Sequence, residues 1–162
     1  MATSSSEVAI IGSGLSGLAL ALSLHHNKIP CRVYESRPAP LNIGGAIMLS
    51  PNALRILNTL GVYERIRSKG YNFDILEFKD TSGKLLEVQE FGGEAKYGFR
   101  GLRIYRHIVI DALVELLKER NIPVYYGKKY SHIVSEGEKI VWEFTDGAVS
   151  YTHLTLPTNR EV

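Results

Sequence analysis

Three glycines and one acid near the start of the chain have the types and spacing to hold a diphosphate and a sugar. Gly12, Gly14 and Gly17 form a G-x-G-x-x-G turn directly after the apolar run Ala9 to Ile11, and Glu35 follows Gly17 by eighteen residues. Gly12 lets the chain leave a strand through a turn that a side chain would obstruct. Gly14 allows backbone to approach a pyrophosphate, and Gly17 lets the following helix pack tightly on a sheet. With Ser13, Leu15 and Ser16, these glycines bring free N–H groups and the positive end of a helix dipole to the phosphates, so no lysine is needed. The hydroxyls of Ser13 and Ser16 could also donate to phosphate, although serine is equally common wherever a loop starts a helix. Glu35 has the spacing of an acid that accepts hydrogen bonds from an adenosine ribose and repels a 2′-phosphate.

Such a motif carries weight only in its proper setting, because glycine-rich turns also serve simply to seat a helix near a strand. Here it follows AIIG, opens an apolar helix over Leu15 to Leu24, and is followed by Pro30 and a strand over Cys31 to Tyr34. That strand, turn, helix and strand are the context a dinucleotide site requires.

The chain has 162 residues, 44% of them hydrophobic, enough for one domain with a real core. Its 19 basic and 17 acidic residues leave a net charge of only +2 and are interspersed, which argues against a nucleic-acid partner. The single cysteine, Cys31, falls inside an apolar strand and reads as a small buried hydrophobe. The opening MATSSSEV lacks the basic region of a cleaved signal, and Ala19 to Leu24 is too short to span a bilayer. The expectation is a cytoplasmic protein with no membrane segment in this chain.

Beyond Glu35, Pro38 and Pro40 impose an extended loop, and Gly44-Gly45-Ala46 permits close backbone approach. Ser50 and Pro51 start a helix that runs to about Lys69, with Gly61 dividing it. Phe73 to Lys79 alternates, turns at Asp80-Thr81-Ser82-Gly83 and returns as Lys84 to Phe91, the pattern of a β-hairpin. Gly92, Gly93 and Gly98 mark a loop, then come a strand over Gly101 to Ile104 and a helix from Arg106 to about Arg120. Ile122 to Tyr126 reads as the next parallel strand. Tyr130 to Ser135 and Lys139 to Phe144, with turn signals at Glu136-Gly137-Glu138 and Asp146-Gly147, suggest a meander. The ending SYTHLTLPTNREV resembles translated adapter sequence and is set aside from the fold.

Four features together resemble the N-terminal part of the flavin-dependent aromatic hydroxylase family, which includes salicylate, p-hydroxybenzoate and kynurenine hydroxylases. They are the glycine fingerprint with Glu35, the segment GGAIMLSPNALRILNTLGV, the helix RIYRHIVIDALVELL and the strand IPVYYGKK. The resemblance implies an α/β fold: a Rossmann-like, glutathione-reductase-type FAD-binding domain with an inserted β-hairpin and meander, truncated at its C-terminus. It divides the chain into a disordered 1–6, a domain over 7–147 and a tail over 148–162.

Carried over by position, the resemblance puts Gly12, Gly14 and Gly17 at the FAD pyrophosphate and Glu35 at the adenosine ribose. Arg37, after Ser36, corresponds to the basic residue near the adenosine end. Arg106 corresponds to an arginine at the ribityl or pyrophosphate region, and Gly44, Gly45 and Ala46 to the loop passing the isoalloxazine. The family more often reads G-A-G at that loop. Its later D-G motif, expected soon after Asp146-Gly147 on a strand reading like L-V-G-A-D-G, and its G-D motif do not occur in the 162 residues.

The implied chemistry belongs to the cofactor. FAD takes electrons from NAD(P)H, reacts with O2, and one oxygen passes to a small aromatic or polyketide-like substrate, so no residue is assigned as catalytic. No metal set is assigned either: His25 and His26 close the first helix, where a cation suits the dipole, and His107, His132 and His153 share no ligand spacing. Asp111 and Glu115, one helical turn apart with Lys118 beyond, read as a solvated face, Arg103 as surface, and Tyr125 and Tyr126 as sheet packing. Two rival readings stay open, an NAD-dependent dehydrogenase with the same fingerprint and a non-catalytic truncated product. The first would continue in strict strand and helix alternation, which the hairpin at Phe73 to Phe91 interrupts.

Overall fold

The computed structural model describes residues 7–40, 44–136 and 139–153, and the chain divides into two compact units. One unit comprises residues 1–41 and 114–162, the other residues 42–113. The expected disorder over 1–6, Gly137 and Glu138 of the expected turn, and tail residues 154–162 lie outside the described residues.

The first unit opens with strand β1 (Val8–Ile11), helix α1 (Leu15–His26) and strand β2 (Cys31–Tyr34). The two strands are parallel and in register from Val8 opposite Cys31 to Ile11 opposite Tyr34. Positions 12 and 35 therefore leave the sheet side by side at its carboxyl edge, the edge where open α/β sheets bind ligands. Helix α1 is apolar nearly all round, and Leu18, Ala21 and Leu22 are fully buried. It extends one turn-end beyond the expected Leu24, and Asn27 closes it by donating its N–H and its Nδ2 to Ser23 O at 3.1 and 2.8 Å.

The second unit continues with β3 (Ala46–Leu49), α2 (Pro51–Thr59), α3 (Tyr63–Ile66) and a 3-10 turn at Arg67–Lys69. Gly61, with φ of 83°, separates the two helices where the sequence places the break. Then come β4 (Tyr71–Phe73), β5 (Ile75–Lys79), β6 (Leu85–Glu90), α4 (Glu94–Tyr97), β7 (Gly101–Tyr105) and α5 (Arg106–Glu119), whose residues from Val114 onward are counted in the first unit. Strands β3, β7 and β4 form an antiparallel sheet with β7 central, and β5 and β6 form the hairpin.

Three expectations change here. Ala46, expected in a loop, begins β3 and pairs with Tyr105. The alternating run from Phe73 is two strands, because Asp74 turns out of the ladder and its carbonyl accepts the N–H groups of Phe91 and Gly92 at 2.8 and 3.0 Å. The Gly92 to Gly98 loop holds the single helical turn α4, closed by Gly98 in the left-handed region.

Back in the first unit, β8 (Val124–Tyr125) pairs parallel with β2, Tyr125 opposite Tyr34, giving the order β1, β2, β8. Tyr126 falls just past this two-residue strand, at the same carboxyl edge as positions 12 and 35. Strands β9 (Tyr130–Ser135), β10 (Lys139–Phe144) and β11 (Val149–His153) form an antiparallel meander. The start of the segment set aside from the fold thus supplies a strand, and Ser150 Oγ lies 2.9 Å from the Tyr34 hydroxyl. Tyr34, Trp142 and Phe144 make the unit's aromatic core, with Phe144 4.9 Å and Trp142 5.9 Å from Tyr34 between ring centres.

Candidate functional site

The three fingerprint glycines are glycines for three different reasons. Gly12 has φ of +105°, a conformation that side chains avoid, and its N–H is tied to Tyr34 O at 2.7 Å. Gly17 has no room: a Cβ there would stand 2.0 Å from Gly12 O and 3.3 Å from Ile10 Cγ2. Gly14 is under neither constraint. Its φ is −75°, and a Cβ would meet nothing within 4 Å. The protein's own packing leaves Gly14 unexplained, whereas a ligand pressed against the backbone would explain it.

Gly14 is also the N-cap of α1, with no side-chain cap hydrogen bond and no acid in the first turn. Leu15, Ser16 and Gly17 open the helix, and Gly14 O accepts its first bond from Leu18 N at 3.0 Å. Most helices satisfy their first N–H groups with a capping oxygen. The donor set here suits a diphosphate.

Glu35 is buried, with 4% of its surface exposed, at the end of β2. Its backbone is fixed on both sides: Glu35 N donates to Tyr125 O, Lys128 N donates to Glu35 O, and Gly127 N donates to Arg37 O, each at 2.8 Å. The carboxylate accepts four hydrogen bonds. Oε2 takes Ser13 N at 2.8 Å and Ser13 Oγ at 3.0 Å, while Oε1 takes Ser36 Oγ at 3.0 Å and Arg37 N at 2.9 Å. The exposed Arg37 guanidinium adds a loose ion pair at 3.7 Å. Burial would raise the Glu35 carboxyl, but the N–H groups of Arg37 and Ser13 and the two serine hydroxyls outweigh it and hold the pKa at about 2. Glu35 is therefore a fully formed anion at neutral pH, able only to accept hydrogen bonds.

The hydroxyl of Ser13 thus serves the acid, not the open space above the turn, while Ser16 is exposed at the helix start. Tyr126, read from sequence as sheet packing, has a different place. Its hydroxyl is buried without a hydrogen-bond partner, and its phenol is raised by burial and by the Glu35 charge, with Ser13 close enough to oppose the shift. Tyr125 does pack, stacking on Tyr34 at 5.3 Å. No sequence signal marks Tyr126; only the pairing of β8 with β2 brings it to the acid.

In the second unit Gly44 has φ of +143°, and a Cβ there would lie 3.4 Å from Arg106 Cδ. Gly45 O accepts the Arg106 N–H at 3.3 Å, and a Cβ on Gly45 would meet nothing within 4 Å. Gly44, Gly45, Ala46 and Arg106 are all exposed. Gly45 thus shares with Gly14 the property of an unexplained glycine.

Other features point elsewhere. A cleft of about 360 Å³ in the second unit is lined by Tyr63, Arg67, Ser68, Asn72, Glu94 and Arg100, none of them a fingerprint residue, and its arginines already pair with Glu64 and Asp74. Among the described residues no cluster of three or more His, Cys, Asp or Glu could hold a metal, and no helix is long and apolar enough to cross a membrane.

Comparison with known proteins converges on one family. The model of the FAD binding domain family matches residues 5–147. The chain is 26% identical over 153 residues to 3-amino-4-hydroxybenzoate 2-monooxygenase of Streptomyces cremeus, covering 93% of this chain and 38% of that protein. It is 30% identical over 153 residues to salicylate hydroxylase of Pseudomonas putida, covering 87% of this chain and 33% of that protein. The structure of Klebsiella pneumoniae HpxO with FAD and uric acid superposes with a TM-score of 0.76 at 22% identity, covering 91% of this chain and 37% of that one. The chain spans well under half the length of the proteins it matches.

Proposed function

This chain belongs to the FAD-binding domain family, and we propose that it is the nucleotide-binding part of an NAD(P)H- and O2-dependent flavoprotein monooxygenase acting on a small aromatic substrate. The observation that carries the reading is Gly14, a glycine that neither backbone conformation nor packing requires, set at an uncapped helix start beside a buried carboxylate. In this reading the N–H groups at Gly14 to Gly17 bind the FAD diphosphate. Glu35 orients the adenosine ribose, with Ser36 and Arg37 at the adenosine end. Gly45 and Ala46 leave space for the flavin ring and Arg106 holds its ribityl or phosphate side, a role supported by its contacts with Gly44 and Gly45.

Bound FAD supplies the redox chemistry, carrying electrons from NAD(P)H to O2 so that one oxygen atom enters the substrate. The chain's own residues bind, orient and exclude water. The aromatic substrates named for the relatives support the substrate class, and a cytoplasmic setting belongs to the same proposal. The dehydrogenase alternative loses support from the second unit, whose antiparallel sheet and hairpin follow β2 where that alternative needs further parallel strands.

Titration of the chain with FAD, followed by quenching of flavin fluorescence, tests the reading. Gly14→Ala should lower FAD affinity at least tenfold while costing the fold no more than a weakened helix cap, because a Cβ there meets nothing within 4 Å. Equal affinity in the variant, or tight NADH binding with none for FAD, would refute it.

A further inference from the structure

The Glu35 carboxylate is already full. An ionised carboxylate offers about four acceptor positions, and Ser13 N, Ser13 Oγ, Ser36 Oγ and Arg37 N take all four. A ribose diol that donates to both carboxylate oxygens must therefore displace one donor from each. The two backbone N–H groups are fixed by the chain, whereas each serine hydroxyl can swing away by rotating one bond. On Oε1 the donor that yields is Ser36, which is exposed and can turn to water without loss. On Oε2 it is Ser13, which is 3% exposed and cannot. A buried hydroxyl that gives up its acceptor needs another.

One lies beside it. The Tyr126 hydroxyl is buried with no hydrogen-bond partner. Its residue lies between Tyr125, whose carbonyl accepts the Glu35 N–H at 2.8 Å, and Lys128, whose N–H donates to Glu35 O at 2.8 Å, on the side of the acid that holds Ser13. Resting on the cofactor reading above, we propose that Ser13 Oγ is a placeholder for a ribose hydroxyl on Glu35 Oε2, and that it passes to the Tyr126 oxygen when ribose binds. Tyr126 is then a positioning residue: it makes no contact with the cofactor and sets affinity by receiving the displaced hydroxyl. The exchange conserves hydrogen bonds, because the orphaned phenol of the free protein gains the partner that the ribose releases.

The test is a double-mutant cycle on the full 162-residue chain with ADP as probe, since ADP carries the ribose and diphosphate without near-ultraviolet absorption of the flavin kind. Tyr126→Phe should weaken ADP binding roughly 3- to 10-fold, the worth of one hydrogen bond to a buried hydroxyl. In a Ser13→Ala background nothing needs rehousing, so the same change should have no effect. ADP should also produce a tyrosine difference spectrum near 290 nm that Tyr126→Phe abolishes. Tyr126→Phe removes only an unpartnered oxygen, so its melting temperature should match that of the unaltered chain. An equal loss in both backgrounds, or no loss in either, would overturn the handover while leaving the cofactor reading intact. Failure of the unaltered chain to bind either ADP or FAD would overturn both.

Discussion

Gly17 sits so close to Gly12 that the carbonyl oxygen of Gly12 occupies the space a side chain at 17 would need, 2.0 Å from the Cβ position. This contact sets how near α1 can lie to β1, and it separates the part of the fingerprint that packing requires from the part that packing leaves free. The obstacle at Gly17 is backbone, which cannot rotate away. Gly14, three residues earlier, faces open space.

Gly17→Ala should therefore destabilise the fold, by about 1–3 kcal/mol or more, as overpacking against an unyielding group does. Urea denaturation of the variant should show a lowered midpoint at unchanged slope, with flavin affinity falling only in proportion to the unfolded fraction. A midpoint equal to that of the unaltered chain would mean α1 can lift off β1 without cost.

Glu35 makes stability depend on acid. Its carboxyl titrates at about 2 in the folded chain and in the ordinary range near 4.5 when unfolded. A depressed folded value means the contribution is fully present above pH 4.5 and is lost progressively as pH falls toward 2. Glu35→Gln should flatten the pH dependence of the melting temperature across that window. It should also cost about 1–3 kcal/mol at neutral pH, because an amide nitrogen would face donors in place of one acceptor oxygen. An unchanged acid limb in the variant would assign the dependence to other carboxylates.

Much of the first unit is legible in the sequence because its signals are local. The apolar run before Gly12, the glycine spacing and the short β-branched stretch at Cys31 to Tyr34 each specify their own conformation. Elsewhere the determinants are distant. Ala46–Leu49 has no strand signature of its own and becomes β3 through pairing with β7, more than fifty residues away. The alternation through Asp74 gives no sign of a break, since the break comes from Phe91 and Gly92 donating to the Asp74 carbonyl. Tyr126 gains its place beside Glu35 only from the register of β8 on β2. At the candidate site, the spacing of the glycines and Glu35 is legible in the sequence, but the commitment of the Ser13 hydroxyl to Glu35 is not.

Cys31 should behave as a core residue. Its thiol is buried, donates to Ala21 O at 3.6 Å, and is raised by burial and then by the Glu7 charge, which all lower the thiolate fraction. In native buffer at pH 8, a chromogenic disulfide reagent should react slowly with the one thiol in the chain, and adding urea should accelerate the reaction to that of a free thiol. Rapid reaction of the folded chain would contradict the buried placement.

The Gly44, Gly45 and Arg106 trio should separate strain from binding. At Gly44 the left-handed φ of +143° makes Gly44→Ala costly, on the order of 1–3 kcal/mol, whatever occupies the space around it. Gly45 carries no such φ and a Cβ there meets nothing, so Gly45→Ala should leave the melting temperature unchanged. The Arg106 side chain is exposed, and Arg106→Ala should likewise fold normally. If Arg106 makes a charge-assisted bond to the cofactor, its loss should weaken FAD binding roughly 10- to 100-fold, an effect that shrinks as salt is raised. Parallel melting curves and flavin titrations of the three variants decide the matter. Gly44→Ala should move both readouts and Arg106→Ala only the second; an Arg106 variant that binds FAD as tightly as the unaltered chain would remove that residue from the site.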